Sequence, residues 1–186
     1  MISKLAKSIA HFFVVQNITE ESKEVIYAYG MELLISDVLN TIIVLLIALF
    51  SHTLPAVVVF IAVFMGLRQF VGGFHANSHL SCMFTLVMVM MVFSYGICNV
   101  SGHITPIFSI SFIMIALPII LCIAPVPHPN KPMSEEKSVK LRKRSCILAV
   151  TLSVVTIALL VFQYQKLSLY VSSGMLLSAI MALLGH

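Results

Sequence analysis

Long apolar runs separated by short polar breaks dominate the chain, and the runs have helical length. In residues 1–16, Ile2, Leu5, Ala6, Ile9, Phe12 and Phe13 fall on one stripe at helical spacing, with Ser3, Lys4, Lys7, Ser8 and His11 opposite. That pattern predicts an amphipathic helix lying in the headgroup region of a bilayer. A cleaved secretory signal is the rival reading. His11 interrupts the run and no small-residue cleavage site follows, so the segment is expected to be retained. Asn17 to Thr19 break this helix, and Thr19 is placed to cap the next, with Glu20 and Glu21 near its positive end. The second helix is expected to start amphipathic, become embedded by Leu33 and run to Phe50, carrying Glu32, Asp37 and Asn40 near its start.

After a turn at His52–Pro55, Ala56–Leu67 offers only 12 apolar residues. A full crossing needs about 20. The segment either borrows Phe70 and Val71 beyond Arg68 or enters the bilayer only partly, as a re-entrant piece. Met83–Val100, Ile107–Ala124, Cys146–Gln163 and Leu167–Leu184 are further spans, the second expected to kink at Pro118. Residues 125–144 read as one long polar loop, opening P-V-P-H-P-N-K-P and ending K-L-R-K-R. The fold expected is an all-α polytopic membrane helical bundle of about six apolar segments, one short, plus the interfacial helix. It forms a single domain over residues 1–186.

Composition sharpens this reading. Hydrophobic residues make up 60% of the chain and charged residues 10%, against about 25% charged in soluble domains. The mean hydropathy of +1.06 points the same way. The basic residues do not alternate with aromatics, so no nucleic-acid partner is expected; the lipid bilayer is. With six crossings, Lys4, Lys7, Lys23, Arg68, Lys131, Lys137, Lys140, Arg142, Lys143 and Arg144 fall on one side, and Lys166 alone on the other. The positive-inside rule then puts both termini, residues 68–82 and the polar loop in the cytoplasm.

Chemistry concentrates in residues 68–82, R-Q-F-V-G-G-F-H-A-N-S-H-L-S-C, where a strong base, a glycine pair, two histidines and a cysteine meet. A cysteine peptidase needs a thiolate, a histidine to carry the proton and donors for the oxyanion. His75 and Cys82 would stand about 10 Å apart along an unbroken helix, too far to act together. Gly72 and Gly73 allow the chain to reverse before His75, and Asn77 and Ser78 are turn and N-cap residues after it. A helix starting there puts Cys82 in its early turns, where the positive end favours the thiolate.

Other readings stand beside this one. The glycines also suit close packing, and the histidine also suits a polar anchor at a membrane edge. His75, His79 and Cys82 resemble a metal set, but the H-E-x-x-H pattern is absent, and neither metal nor cofactor is expected. Arg68 is either functional or snorkelling. Gln69 is a candidate oxyanion donor. Glu32 or Asp37 could orient the histidine or pair with Arg68, and Lys131 in the polar loop is a further substrate-binding candidate. Cys98, Cys122 and Cys146 read as small buried apolar side chains.

R-Q-F-V-G-G-F-H followed by Cys82 resembles the signature of the accessory gene regulator B family, the membrane endopeptidases of Gram-positive quorum sensing. Ala124–Pro132 and Tyr29–Asp37 are similar to that family's polar loop and first buried helix. The resemblance implies a bacterial cell-membrane enzyme that cuts a short amphipathic precursor peptide near its C-terminus. It implies Cys82 as nucleophile, forming a thioester with the peptide, and His75 as general base. Arg68 and Gly73 match further motif positions. A cysteine or serine of the peptide then closes a thiolactone or lactone ring, and the enzyme is expected to be a homodimer. Two other functions fit the composition: export of such a peptide, and a non-catalytic membrane partner.

Overall fold

The computed structural model describes residues 2–73, 79–126 and 135–185, without the side chains of Leu33, Asp37, residues 79–83 and Lys137. These residues are overwhelmingly helical. Seven α-helices follow in order: α1 (Ile2–Val15), α2 (Glu24–Phe50), α3 (Leu54–Val71), α4 (His79–Met91), α5 (Thr105–Ile123), α6 (Glu135–Val161) and α7 (Gln165–Gly185). Five apolar stretches have the length to cross a membrane, and Phe84–Asn99 is a shorter sixth. The all-α bundle expected from the hydropathy pattern is the architecture found.

The structure decides one boundary that the sequence reading left open and departs from that reading in three other features. The doubtful segment is a full helix of 18 residues, with Pro55 in its first turn and Gly72 ending it. It extends through Arg68, Gln69 and Phe70, because one guanidinium near a helix end is accommodated by its long stem. The polar stretch after α5 does not reach Arg144, since α6 begins at Glu135. Glu135 and Glu136 suit the positive end of that helix, and Glu136 pairs with Lys140 one turn on at 2.6 Å. Thr19 is not a cap: a 3₁₀ turn over Glu21–Lys23 precedes α2, with Glu20 before it. Finally, the apolar stripe of α1 divides. Ala6 and Ala10 are fully buried, and α1 packs along α2, while Leu5 and Phe12 stay exposed. Alanines permit that close approach; Asn17, at φ 55°, turns the chain back, and Phe13 meets Tyr27 edge-on at 6.2 Å.

The six apolar segments run alternately up and down. At one end, Thr53 Oγ1 lies 3.2 Å from Ser94 Oγ, so the α2–α3 turn meets the continuation of α4. At the other, the ends of α3 and α5 are joined, since the Val126 N–H donates to the Val71 carbonyl at 2.8 Å. The described basic residues of α3 and α6 lie toward that second end, and Lys166 begins α7 at the first.

The spine of the bundle is α7, which packs against α3, α5 and α6. Its buried face is built from small residues, among them Ser168, Ser172, Gly174, Ser178, Ala179 and Ala182. Lipid is as apolar as leucine, so helices in a bilayer gain little by hiding leucine; they gain by close packing. The serine hydroxyls are satisfied at home: Ser172 Oγ donates to the Leu169 carbonyl and Ser178 Oγ to that of Gly174. Ser109 and Ser168 also meet across α5 and α7 at 3.1 Å. A second cluster joins α2, α3 and α4 through Val44, Ala48, Phe60, Met90 and Phe93, with Phe60 stacked on Phe93 at 4.2 Å between centroids.

A Cβ added at Gly174 would lie 3.0 Å from the Phe60 carbonyl oxygen and from the Val63 side chain. Gly174→Val is therefore expected to lower the unfolding free energy in mixed SDS micelles by about 1–3 kcal/mol. Gly30→Ala, where a Cβ meets nothing within 4 Å, is the control and should not lower it.

Candidate functional site

The glycine pair lies at a junction of three chain segments. α3 ends at Val71, which is fully buried. Gly72 has φ 75°, and Gly73 has φ 121°, both outside the range that L side chains adopt readily. Space imposes the same requirement. A Cβ on Gly72 would stand 2.5 Å from the Val126 carbonyl oxygen, and one on Gly73 would stand 2.5 Å from the Met181 carbonyl oxygen. Gly72 forms a parallel bridge with Val126. The backbone leaving α3 is thus wedged between the strand-like start of the polar stretch and the last turns of α7. Leu67, Val71, Ala124, Val126, Ala179 and Ala182 pack around it in one apolar cluster.

α4 begins at His79, and the backbone of Cys82 lies in its first turn. The N–H groups of a first helical turn have no acceptor within the helix and point toward its open end. An anion near that end is favoured by them and by the aligned peptide dipoles.

The remaining candidates divide. Arg68 is half-buried on the last turn of α3, with its guanidinium carbon 5.5 Å from the centroid of the Phe64 ring. It also engages a further partner, as does Glu32, half-buried on α2. Gln69, next to Arg68, is exposed. His75 and Lys131 lie outside the described residues, as do the side chains of Asp37 and Cys82. Cys98 and Cys146 are partly buried, but Cys122 is exposed on α5, against the expectation of a buried thiol. In a membrane bundle the outer face of α5 meets lipid, which is equally apolar.

Asn40, named above as a polar residue of α2, is one member of a longer buried stripe. The buried stripe of α2 reads Ser36, Asn40, Val44, Ala48, four residues apart, polar in its first half and apolar in its second. The four-residue spacing of small and polar side chains within an apolar run was the available signal.

Fold and site together define a multi-pass helical membrane protein with a glycine-locked junction leading into a cysteine-bearing helix. The family described as Accessory gene regulator B matches residues 3–182. A Clostridium beijerinckii protein described as AgrB-like is 25% identical over 145 residues, covering 76% of this chain and 71% of the relative. No solved structure matches. The chain belongs to the accessory gene regulator B family, and so to the accessory gene regulator system, a quorum-sensing processing system.

The junction makes a specific demand on sequence. Gly72→Ala and Gly73→Ala each combine positive-φ strain, worth about 1–3 kcal/mol, with overlap onto backbone that cannot step aside. Each is expected to lower the thermal midpoint and the yield of folded protein. Gly66→Ala, six residues before Gly72 on α3 with nothing within 4 Å of the added carbon, should leave both unchanged.

Proposed function

We propose that this chain is a membrane cysteine endopeptidase that cuts a short amphipathic precursor peptide near its C-terminus, leading to a cyclic signal peptide. The observation that carries this reading is the glycine-locked junction feeding within a few residues into a helix whose first turn contains Cys82. Family membership supports it.

In this mechanism Cys82 is the nucleophile and His75 the general base. The thiolate attacks the scissile carbonyl, and the C=O electron pair moves onto oxygen. Collapse of the tetrahedral intermediate breaks the C–N bond, and the departing amine takes a proton from the His75 imidazolium. The product is a thioester between Cys82 and the N-terminal part of the peptide. A cysteine or serine within the peptide then attacks that thioester, closing a thiolactone or lactone ring and freeing Cys82. Ring closure has to outrun hydrolysis. A thioester at a membrane edge, screened from bulk water, favours the tethered nucleophile through proximity and water exclusion.

The orientation follows from charge. The bundle end that carries Arg68 and Lys140–Arg144 is the cytoplasmic one. The catalytic pair then works at the inner leaflet, where a newly made amphipathic peptide lies. Arg68, with Lys131 of the polar stretch, supplies positive charge toward the peptide. The working unit is a homodimer in the cell membrane.

The direct test pairs the chain with the precursor encoded by a short reading frame beside its gene. Wild-type protein should convert the precursor and form a hydroxylamine-sensitive adduct. Cys82→Ala and His75→Ala should abolish conversion while protein still accumulates in the membrane. Normal conversion by Cys82→Ala would rule the reading out.

A further inference from the structure

We infer that the protruding start of α2 is the docking face for the amphipathic helical segment of the precursor peptide, an inference that takes the peptide from the reading above. The argument starts from helix lengths. α2 and α3 are joined by a short turn at Ser51–Thr53 and run antiparallel. α3 ends after 18 residues at Val71, and 18 residues counted back from Phe50 end at Leu33. Glu24–Glu32 therefore stand beyond the end of α3, by about 13 Å of helix. α4 also falls short. It starts at His79, 15 residues before the Ser94 that meets Thr53 at the opposite end, about 22 Å, whereas α2 runs about 39 Å from Phe50 back to Glu24. The first turns of α2 thus overhang the end of the bundle where the glycine junction lies and α4 begins.

What the overhang presents is apolar. Val25, Ile26 and Tyr29 are 79%, 70% and 61% exposed. Tyr29 lies seven residues before Ser36 and 11 before Asn40, and Val25 lies 11 before Ser36, close to two and three whole turns. The patch therefore continues the stripe that Ser36, Asn40, Val44 and Ala48 turn inward, and it faces across the bundle end. α1 lies on the other flank of the overhang, where His11 meets Glu24 at 3.4 Å and Phe13 meets Tyr27 edge-on. Further along α2 the same stripe packs on α3 and α4, through Val44, Ala48, Phe60 and Met90. Beyond the ends of those helices it is a helix-packing face without its helix.

The place of this face selects its occupant. A lipid leaflet surrounds a bundle and meets outward faces such as that of Ile107 and Ile115 on α5; it does not roof the bundle end. The surface continues a helix–helix interface, so it fits a helix, one that lays apolar side chains at i, i+3 and i+4 against Val25, Ile26 and Tyr29. An amphipathic segment of the precursor has that chemistry, with its polar side left toward water. Anchored there, it holds the residues that follow it over the start of α4. Binding energy from a remote part of the substrate is then used to position the bond to be cut.

The test reads the occupant directly. Full-length Cys82→Ala protein carrying Tyr29→p-benzoylphenylalanine is reconstituted in phosphatidylglycerol nanodiscs and irradiated with the synthetic precursor of the neighbouring reading frame. A covalent adduct between protein and precursor is expected. Ile115→p-benzoylphenylalanine, on the outward face of α5, should capture lipid alone. Capture at position 29 of lipid only, or of a second copy of the chain, overturns the inference. Val25→Asn, Ile26→Asn and Tyr29→Asn combined should also weaken precursor binding about tenfold, with the thermal midpoint unchanged because these side chains are exposed. Ile18→Asn, 63% exposed in the turn between α1 and α2, should leave binding unchanged. Unchanged binding in the triple variant, or an equal loss in Ile18→Asn, overturns the inference as well. These readings do not use the Cys82 reaction. A wild-type protein that binds the precursor at this face without converting it would sink the peptidase reading and leave the docking face standing.

Discussion

One backbone hydrogen bond and two missing side chains govern the functional end of this bundle. The Val126 N–H donates to the Val71 carbonyl, and Gly72 and Gly73 pass between the carbonyls of Val126 and Met181 with no room for a β-carbon. Three chain segments distant in sequence are pinned there: the end of α3, the exit from α5 and the last turns of α7. An amide pair at a bundle end has water as a competitor, so its net worth alone is about 1 kcal/mol. Its force as a constraint comes from surroundings. Leu67, Val71, Ala124, Val126 and Ala182 are buried around it, so opening the junction would expose an apolar cluster as well.

The rest of the bundle is arranged to make that junction possible. α7 reaches it because its buried face is mostly small, with Leu169, Val171 and Met175 among the serines, alanines and glycine, so α3, α5 and α6 all come close. In a bilayer that choice matters more than hydrophobicity, since dispersion and backbone approach replace the hydrophobic effect as the source of association. The outward faces carry the large apolar side chains, such as Leu45, Leu46, Ile107, Ile115, Val154 and Ile157, which meet lipid. The inward faces mix serine, alanine and glycine with a smaller set of large apolar side chains such as Leu67, Ile120, Phe60 and Met90. On α2 the same inward stripe changes character along its length, apolar where it packs on Met90 and Phe93, and polar toward the end where Cys82 lies.

Much of this was legible in the chain. Hydropathy gave the six apolar segments, because a run from Thr105 to Ile123 without one charge has few other fates. The sorting of lysine and arginine to one side agreed with their alternation. The glycine pair pointed to a reversal, but not to what it packs against: Val126 and Met181 are 54 and 109 residues from Gly72 and are brought there by tertiary packing alone. The continuation of α3 through Arg68 to Val71 was one of two open readings, because an arginine interrupts the apolar run and length alone does not say whether the helix passes it. The start of α6 was hidden because a charged run such as Glu135–Arg144 is as compatible with a solvated loop as with a solvated helix. The spine role of α7 was hidden because hydropathy scores serine and glycine as weak membrane residues, whereas packing makes them the strongest.

The central claim, that the glycine pair locks the end of α3 onto the exit from α5, can be read at a single amide. Pro125 and Pro127 have no N–H, so Val126 supplies the one exchangeable backbone proton in residues 125–127. Hydrogen–deuterium exchange of the wild-type protein in lipid nanodiscs, resolved at that residue, should find it strongly protected, as a buried donor to Val71 requires. Exchange at the rate of a free amide would mean the junction does not hold, and the account built on it would be wrong.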